Sequence, residues 1–292
     1  MIKSFAFGLL LLLVSNQKSF ACASCGSSGD DPLVLFPNEV YKLLIQTSKG
    51  MEYSNIDEKG TLRTSGGTET KLQTTASFGA SLSRKAFFTI TKSFIENRRG
   101  DRKKSGFGDW SFSGRYSLTM LSIDDDWSPQ IQWLYGYKHS TSQSTKTSRD
   151  PYLLDVFGNG FSELKTGIDV WWGQWVVKPG LAFALVKPLS RSVAGTQYTP
   201  ALVFRTTGSV SYLQPVNVKW VAGVTSEKKE NVKVEGAGDL PRSTTHSFFL
   251  TAETMVTDSD TIRLTYAETG TIGKNINTFS SKNVSVSYMH SF

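Results

Sequence analysis

The sequence predicts an all-β protein, specifically a transmembrane antiparallel up-and-down β-barrel of about twelve strands. Three observations carry that expectation. From about residue 38 onward, segments that alternate apolar and polar residues recur along the chain. The connections between them are alternately short and long, and aromatic residues gather toward the ends beside the short turns. Composition agrees: the 292 residues are 39% hydrophobic and 20% charged, with 25 glycines and 12% aromatics. Such a chain is neither disordered nor collagen-like. No window offers the ~18 or more uninterrupted apolar residues of a membrane helix, the shorter run at the N-terminus apart, so a helical membrane protein is excluded.

Residues 1–21 read as an export signal outside the fold. Lys3 gives the positive start, Phe5 to Val14 an apolar core, and Ser19 and Ala21 small residues at the cleavage-determining places, so cleavage is expected after Ala21. Loss of Lys3 and Lys18, with no acid lost, lowers the formal net charge from +7 to +5. Residues 22–37 are then a cysteine-containing periplasmic segment, and 38–292 the barrel. Cys22 and Cys25 are the only thiols. A covalent haem needs His after the second cysteine, where Gly26 stands. A local disulfide or free pair in an oxidising compartment, lipidation of Cys22, and a soft-metal site for Cu(I) stay open, although two thiolates without a nearby His or Met make an incomplete metal shell. No cofactor is expected.

Strands are expected near 40–55, 70–82, 86–97, 107–120, 129–141, 160–173, 175–188, 198–212, 216–230, 243–256, 261–270 and 277–292. The clearest period-two runs are Leu72, Ala76, Phe78, Ala80 and Leu82 against Lys71, Gln73, Thr75, Ser77 and Ser81, and Ile131, Trp133, Tyr135 and Tyr137 against Gln130, Gln132 and Lys138. Connections near 56–69, 98–106, 142–159, 189–197, 231–242 and 271–276 read as the longer set. Asn38 to Lys49 also reads as a capped amphipathic helix stopped by Gly50, which would lower the count and let the N-terminus fill the lumen. Trp127, Trp133, Trp172, Trp175, Tyr212, Trp220 and Tyr288 suit a headgroup-level girdle on the periplasmic side, because part of each ring is apolar and another part hydrogen-bonds.

At the C-terminus, Val284, Val286, Tyr288, His290 and Phe292 alternate with polar residues, and the chain stops on the aromatic. This resembles the insertion signal of bacterial outer-membrane proteins, carried here by Val284, Val286, Tyr288 and Phe292, with His290 where Tyr is more usual. Together with Cys22-Ala23-Ser24-Cys25-Gly26 and Asp30-Asp31-Pro32, the pattern is similar to uncharacterised outer-membrane proteins grouped with phenol-degradation-type transporters. The resemblance implies residence in the outer membrane among its lipids and lipopolysaccharide, insertion by the barrel-assembly machinery, and passage of small solutes. It names no substrate.

Assigning the polar parity inward places Lys42, Lys71, Arg115, Lys138, Lys165, Lys178, Arg205, Lys219 and Arg263 in the lumen against Asp109, Glu163, Asp169 and Glu253. In a narrow aqueous pore such a cationic surplus favours small anionic solutes, carboxylated aromatics among them. Alternatively these charges pair with one another across a closed interior. Two other function classes are compatible with a barrel of this size. A barrel enzyme of lipase or esterase type would draw on His139, the hydroxyls of Ser140 to Ser142 and Asp150, but the spacing departs from the outer-membrane phospholipase pattern. An adhesive or structural barrel would work through loops such as the basic Arg98 to Lys104. Nucleic acid is not an expected partner.

Overall fold

The computed structural model describes residues 33–35, 39–119, 128–142, 144, 147–172, 176–193, 196–214, 217–234 and 239–292. The expected export signal, both cysteines, Trp127 and Trp175 lie outside them. In chain order the strands are β1 (Tyr41–Ile56), β2 (Leu62–Ser83), β3 (Ala86–Arg99), β4 (Arg102–Ser117), β5 (Gln130–His139), β6 (Glu163–Trp171), β7 (Val177–Pro188), β8 (Arg191–Val193), β9 (Thr196–Thr199), β10 (Val203–Leu213), β11 (Val218–Lys229), β12 (Lys233–Val234), β13 (Ser243–Met255), β14 (Asp260–Thr269) and β15 (Thr278–Ser291). Twelve of them close an antiparallel barrel, while β8, β9 and β12 form a small separate sheet in the connections. The seam joins β1 to β15 from Lys42↔Ser291 to Ile56↔Thr278, so the barrel itself has no open edge.

Alternation decides which residues face lipid. Ile45, Phe183 and Val286 are 57%, 50% and 53% exposed on the outer wall, whereas Ser77, Thr207 and Ser287 are 2% exposed on the inner one. A barrel this apolar outside and polar inside is inverted relative to a soluble protein, and only a bilayer makes its exterior favourable. Inside, hydroxyls bond across the strands: Thr75 with Ser93 at 2.9 Å, Ser77 with Thr91 at 2.8 Å, Thr207 with Thr225 at 3.0 Å. Each such pair satisfies polar groups that face away from lipid.

Two belts of aromatic residues bound the apolar band. Trp133, Trp172, Tyr212, Trp220 and Tyr288 lie outward near the end where β1 begins and β15 finishes, here the terminal end, and Trp133 Nε1 donates to Thr166 Oγ1 at 2.9 Å. Toward the opposite end, Phe94, Phe107 and Trp110 face out, with Lys92 Nζ 4.7 Å from the Trp110 ring centre.

The helical alternative for Asn38 to Lys49 does not form. Residues 41–56 are β1, paired on both sides, because the barrel offers a strand partner at each edge. Two connections expected to be long are tight. Residues 57–61 close through Asp57, whose Oδ1 accepts from the Lys59 and Thr61 N–H groups at 2.9 Å each, with Gly60 at φ 83. Residues 100 and 101 turn β3 into β4, Gly100 taking the φ of 58 that a two-residue hairpin requires. The arms beside these turns, 62–70 and 102–106, carry almost no apolar side chain and do not alternate, so the sequence there reads as loop.

At the terminal end the lumen is filled. Leu33, Val34 and Leu35 are buried with the inward-facing Leu44, Phe87 and Met289, an apolar cluster inside a polar barrel. Gly79 leaves the room: a Cβ there would collide with the Leu35 side chain. Glu39 pins the segment that leads into β1, accepting from Lys42 Nζ at 2.8 Å and from Ser291 Oγ at 2.5 Å.

Candidate functional site in the barrel lumen

The inward charges separate into two groups by height. At the terminal end lie Lys42, Arg115, Asp169, Lys178, Lys219, Glu253 and Arg263. Arg115 Nη1 bonds Asp169 Oδ2 at 2.8 Å and Gln132 Oε1 at 3.3 Å, with both charged residues essentially inaccessible. Glu253 stands in register between Lys219 on β11 and Arg263 on β14, and Arg263 Nη2 approaches it to 2.6 Å. Lys42 pairs with Glu39. Lys178, at the start of β7, is half-buried. Excluded from water, such pairs are held because the loss of either partner leaves an uncompensated charge.

Above them is a cavity of about 520 Å³ lined by Lys71, Asp109, Lys138, Glu163, Lys165 and Arg205, together with Glu227 and Lys229. Lys138 bonds Glu163 at 2.8 Å, and Glu227 is shared by Arg205 and by Lys229, the latter at 3.0 Å. Lys71 is different. Its side chain opens into the cavity, and it makes no hydrogen bond or ion pair among the described residues. Around it β1–β4 present a wall of hydroxyls and amides: Gln46, Ser48, Gln73, Thr75, Thr91, Ser93, Ser111 and Ser113.

The roof is formed by residues 140–142, 144 and 147–162 of the connection between β5 and β6, folded into the mouth. A β-bulge opposite Ser93 turns both Gly108 and Asp109 inward. The Asp109 carboxylate accepts from the N–H groups of Thr141 (2.9 Å) and Ser142 (3.0 Å) and from Ser142 Oγ (2.6 Å). Asn97 Nδ2 donates to the carbonyls of Leu154 and Val156 at 3.0 and 2.8 Å, and Arg191 Nη1 to that of Gly160 at 2.6 Å. Phe157 lies over Gly106 and Gly108, where any Cβ on Gly106 would strike its ring. Higher up, Lys104 Nζ meets Asp150 at 2.7 Å; that bond and the Tyr152 N–H hold the Asp150 carboxyl below its ordinary pKa.

The residues considered for hydrolysis are not brought together. His139 faces outward beside Tyr137, Ser142 is engaged by Asp109 inside the lumen, and Asp150 is held by Lys104. At the C-terminus Val284, Val286, Tyr288 and Phe292 all face out. Asp109 lines the cavity as a tether for the roof. Phe157, Glu227, Lys229 and the hydroxyl wall were not singled out from sequence. Gly106 and Gly108 within a strand were the available signal for Phe157, since glycine in a strand marks close approach of another group. Glu227 and Lys229 follow from carrying the inward parity of Lys219 along β11.

No protein-family model matches the sequence, and no curated protein matches it. Among solved structures, an outer membrane channel from Pseudomonas putida F1 superposes with a TM-score of 0.72, covering 91% of this chain and 99% of its own at 12% identity. The fold is that of a bacterial outer-membrane β-barrel. The translocator domain of the autotransporter NalP from Neisseria meningitidis shares it more loosely, with a TM-score of 0.50 over 99% of this chain and 96% of its own, again at 12% identity. An outer-membrane barrel of this shape places its lipid-facing band and its lumen as described above; at such identity the likeness extends to architecture and not to the roles of residues.

Proposed function

We propose that this outer-membrane barrel is a channel for small anionic solutes. The observation that carries the reading is the cavity: five cations, Lys71, Lys138, Lys165, Arg205 and Lys229, line it against three acids, Asp109, Glu163 and Glu227. Low-dielectric walls focus such a surplus, concentrating anions and repelling cations. In this reading residues 1–21 are removed on export and both ends of the mature chain lie in the periplasm. The outward Val284, Val286, Tyr288 and Phe292 serve insertion by the barrel-assembly machinery, and the basic tip of β3–β4 meets lipopolysaccharide. In the same reading residues 22–37, with Cys22 and Cys25 as a disulfide or free pair ahead of lipidation or a Cu(I) site, belong to the periplasmic side.

The test is the zero-current potential of the purified protein in a planar bilayer across a salt gradient. Discrete conductance steps with a potential displaced toward the anion equilibrium support the reading. Steps with cation preference, or a folded and heat-modifiable protein that conducts no ion at all, overturn it.

A further inference from the structure

The two sides of the cavity differ in chemistry, and the difference specifies a ligand. On β5–β6 and β10–β11 the side chains form ion pairs among themselves, Lys138 with Glu163 and Glu227 with Arg205 and Lys229. Among the residues of β2 and β3 that line the cavity, Lys71 carries the one charge; Glu69, two residues before it on the same face, lies outside the lining and pairs with Arg99 at 3.0 Å. Each hydroxyl there carries one donor and two lone pairs, so a pair such as Thr75 with Ser93 uses one O–H and leaves the other, with acceptor sites, for the cavity. Gln73 Nε2 donates to both hydroxyls at 3.2 Å, which leaves its Oε1 free to accept. The surface therefore offers donors and acceptors interleaved, a demand met only by a ligand that also both donates and accepts. A halide or a bare carboxylate accepts alone, and an aromatic ring does neither.

Lys71 adds a fixed charge to that surface. It precedes Gln73 and Thr75 on the same face of β2, at the upper end of the hydroxyl column, and is in register with Gly50, whose missing side chain keeps the neighbouring inward position on β1 open. Three ammonium donors with no bond to any described residue face the cavity. We propose that this wall is a binding site for a hydroxylated carboxylate of the sugar-acid type, its carboxylate on Lys71 and its hydroxyls along Gln73, Thr75, Thr91 and Ser93. The proposal rests on the anion-channel reading and narrows its solute.

The experiment is isothermal titration of the full protein in detergent with D-glucuronate, D-glucose and benzoate, run beside bilayer conductance. Glucuronate is expected to bind at least about tenfold more tightly than either of the others, and Lys71→Gln to reduce it about tenfold, to the level of glucose. Ser93→Ala is expected to narrow the margin over benzoate. Benzoate or glucose binding as tightly as glucuronate, absence of glucuronate binding, or a Lys71→Gln protein that binds it undiminished overturns the proposal. If Lys71→Gln does not fold, the ranking of the three ligands on the unaltered protein decides. Conductance without glucuronate binding removes this inference and leaves the channel; binding without conductance removes the channel and leaves the site.

Discussion

The terminal end of the lumen and the cavity above it are lined by the same residue types at the same parity, yet they are physically different places. Below, Arg115 and Asp169 are sealed from water and bonded at 2.8 Å, and Leu33, Val34 and Leu35 fill the space beside them. Above, Lys71 is open to the lumen, and the ion pairs around it border a cavity. An inward charge is therefore a structural pair at one height and a lining group at the other. What separates them is the presence or absence of packed material in the barrel at that level, because desolvation makes a partner obligatory only where water is excluded.

The largest expected effect breaks the lower region. Arg115→Ala leaves Asp169 buried without its guanidinium and is expected to destabilise the barrel by about 3–5 kcal/mol, read by urea unfolding in vesicles with tryptophan fluorescence. A double replacement, Arg115→Met with Asp169→Leu, is expected to recover most of that loss; if it does not, the pair contributes more than mutual neutralisation. Next, replacing Leu33, Val34 and Leu35 together by serine removes the apolar contacts to Leu44, Phe87 and Met289. Single-channel conductance is then expected to rise severalfold, and an unchanged conductance would mean that this segment does not limit the path.

Lys71→Glu sharpens the contrast from the other side. Because Lys71 is exposed to the lumen and bonds to no described residue, stability is expected to change by no more than about 0.5 kcal/mol, while the zero-current potential shifts toward cations. A large loss of stability would place Lys71 with the structural group. The smallest effect concerns the roof. The Asp150 carboxyl is held below its ordinary value by Lys104 and the Tyr152 N–H. A depressed folded pKa contributes stability that is present above the unfolded value, 3.8, and is lost as the pH falls through the folded one. Hydrogen exchange across residues 147–160 is therefore expected to lose protection below about pH 4 and to be flat above it; Lys104→Ala should weaken that dependence, the remainder resting on the Tyr152 N–H at Asp150 and on Asp155, which Ser148 and the Arg149 N–H hold low.

Much of the wall was legible because lipid imposes a rule on every residue it touches. The run through Ile131 to Tyr137 places a strand within two residues of β5 at each end, and the run through Leu72 to Leu82 gives the end of β2 within one residue but not its start at Leu62, since a polar side chain is costly only at a lipid-facing position. Beyond those runs the rule lapses: Leu62 to Thr70 and Arg102 to Gly106 belong to β2 and β4 but show no sustained apolar and polar alternation, so alternation does not reveal them. The site was legible only in part. Parity put Lys71, Lys138 and Arg205 inside, but Asp109 reaches the lumen through a bulge and binds a loop, and Phe157 enters from a connection with no periodicity of its own.

What the sequence by itself determined is the barrel, its faces and its two ends, because period-two alternation and turn chemistry are local consequences of a strand crossing a bilayer. What only the tertiary structure decided is the contents of the lumen. Which charges pair, where Leu33 to Leu35 lodge and how residues 147–162 fold over Gly106 and Gly108 all depend on contacts across the barrel between residues far apart in the chain. Such contacts leave no period in the sequence, so they become readable only once the wall has closed.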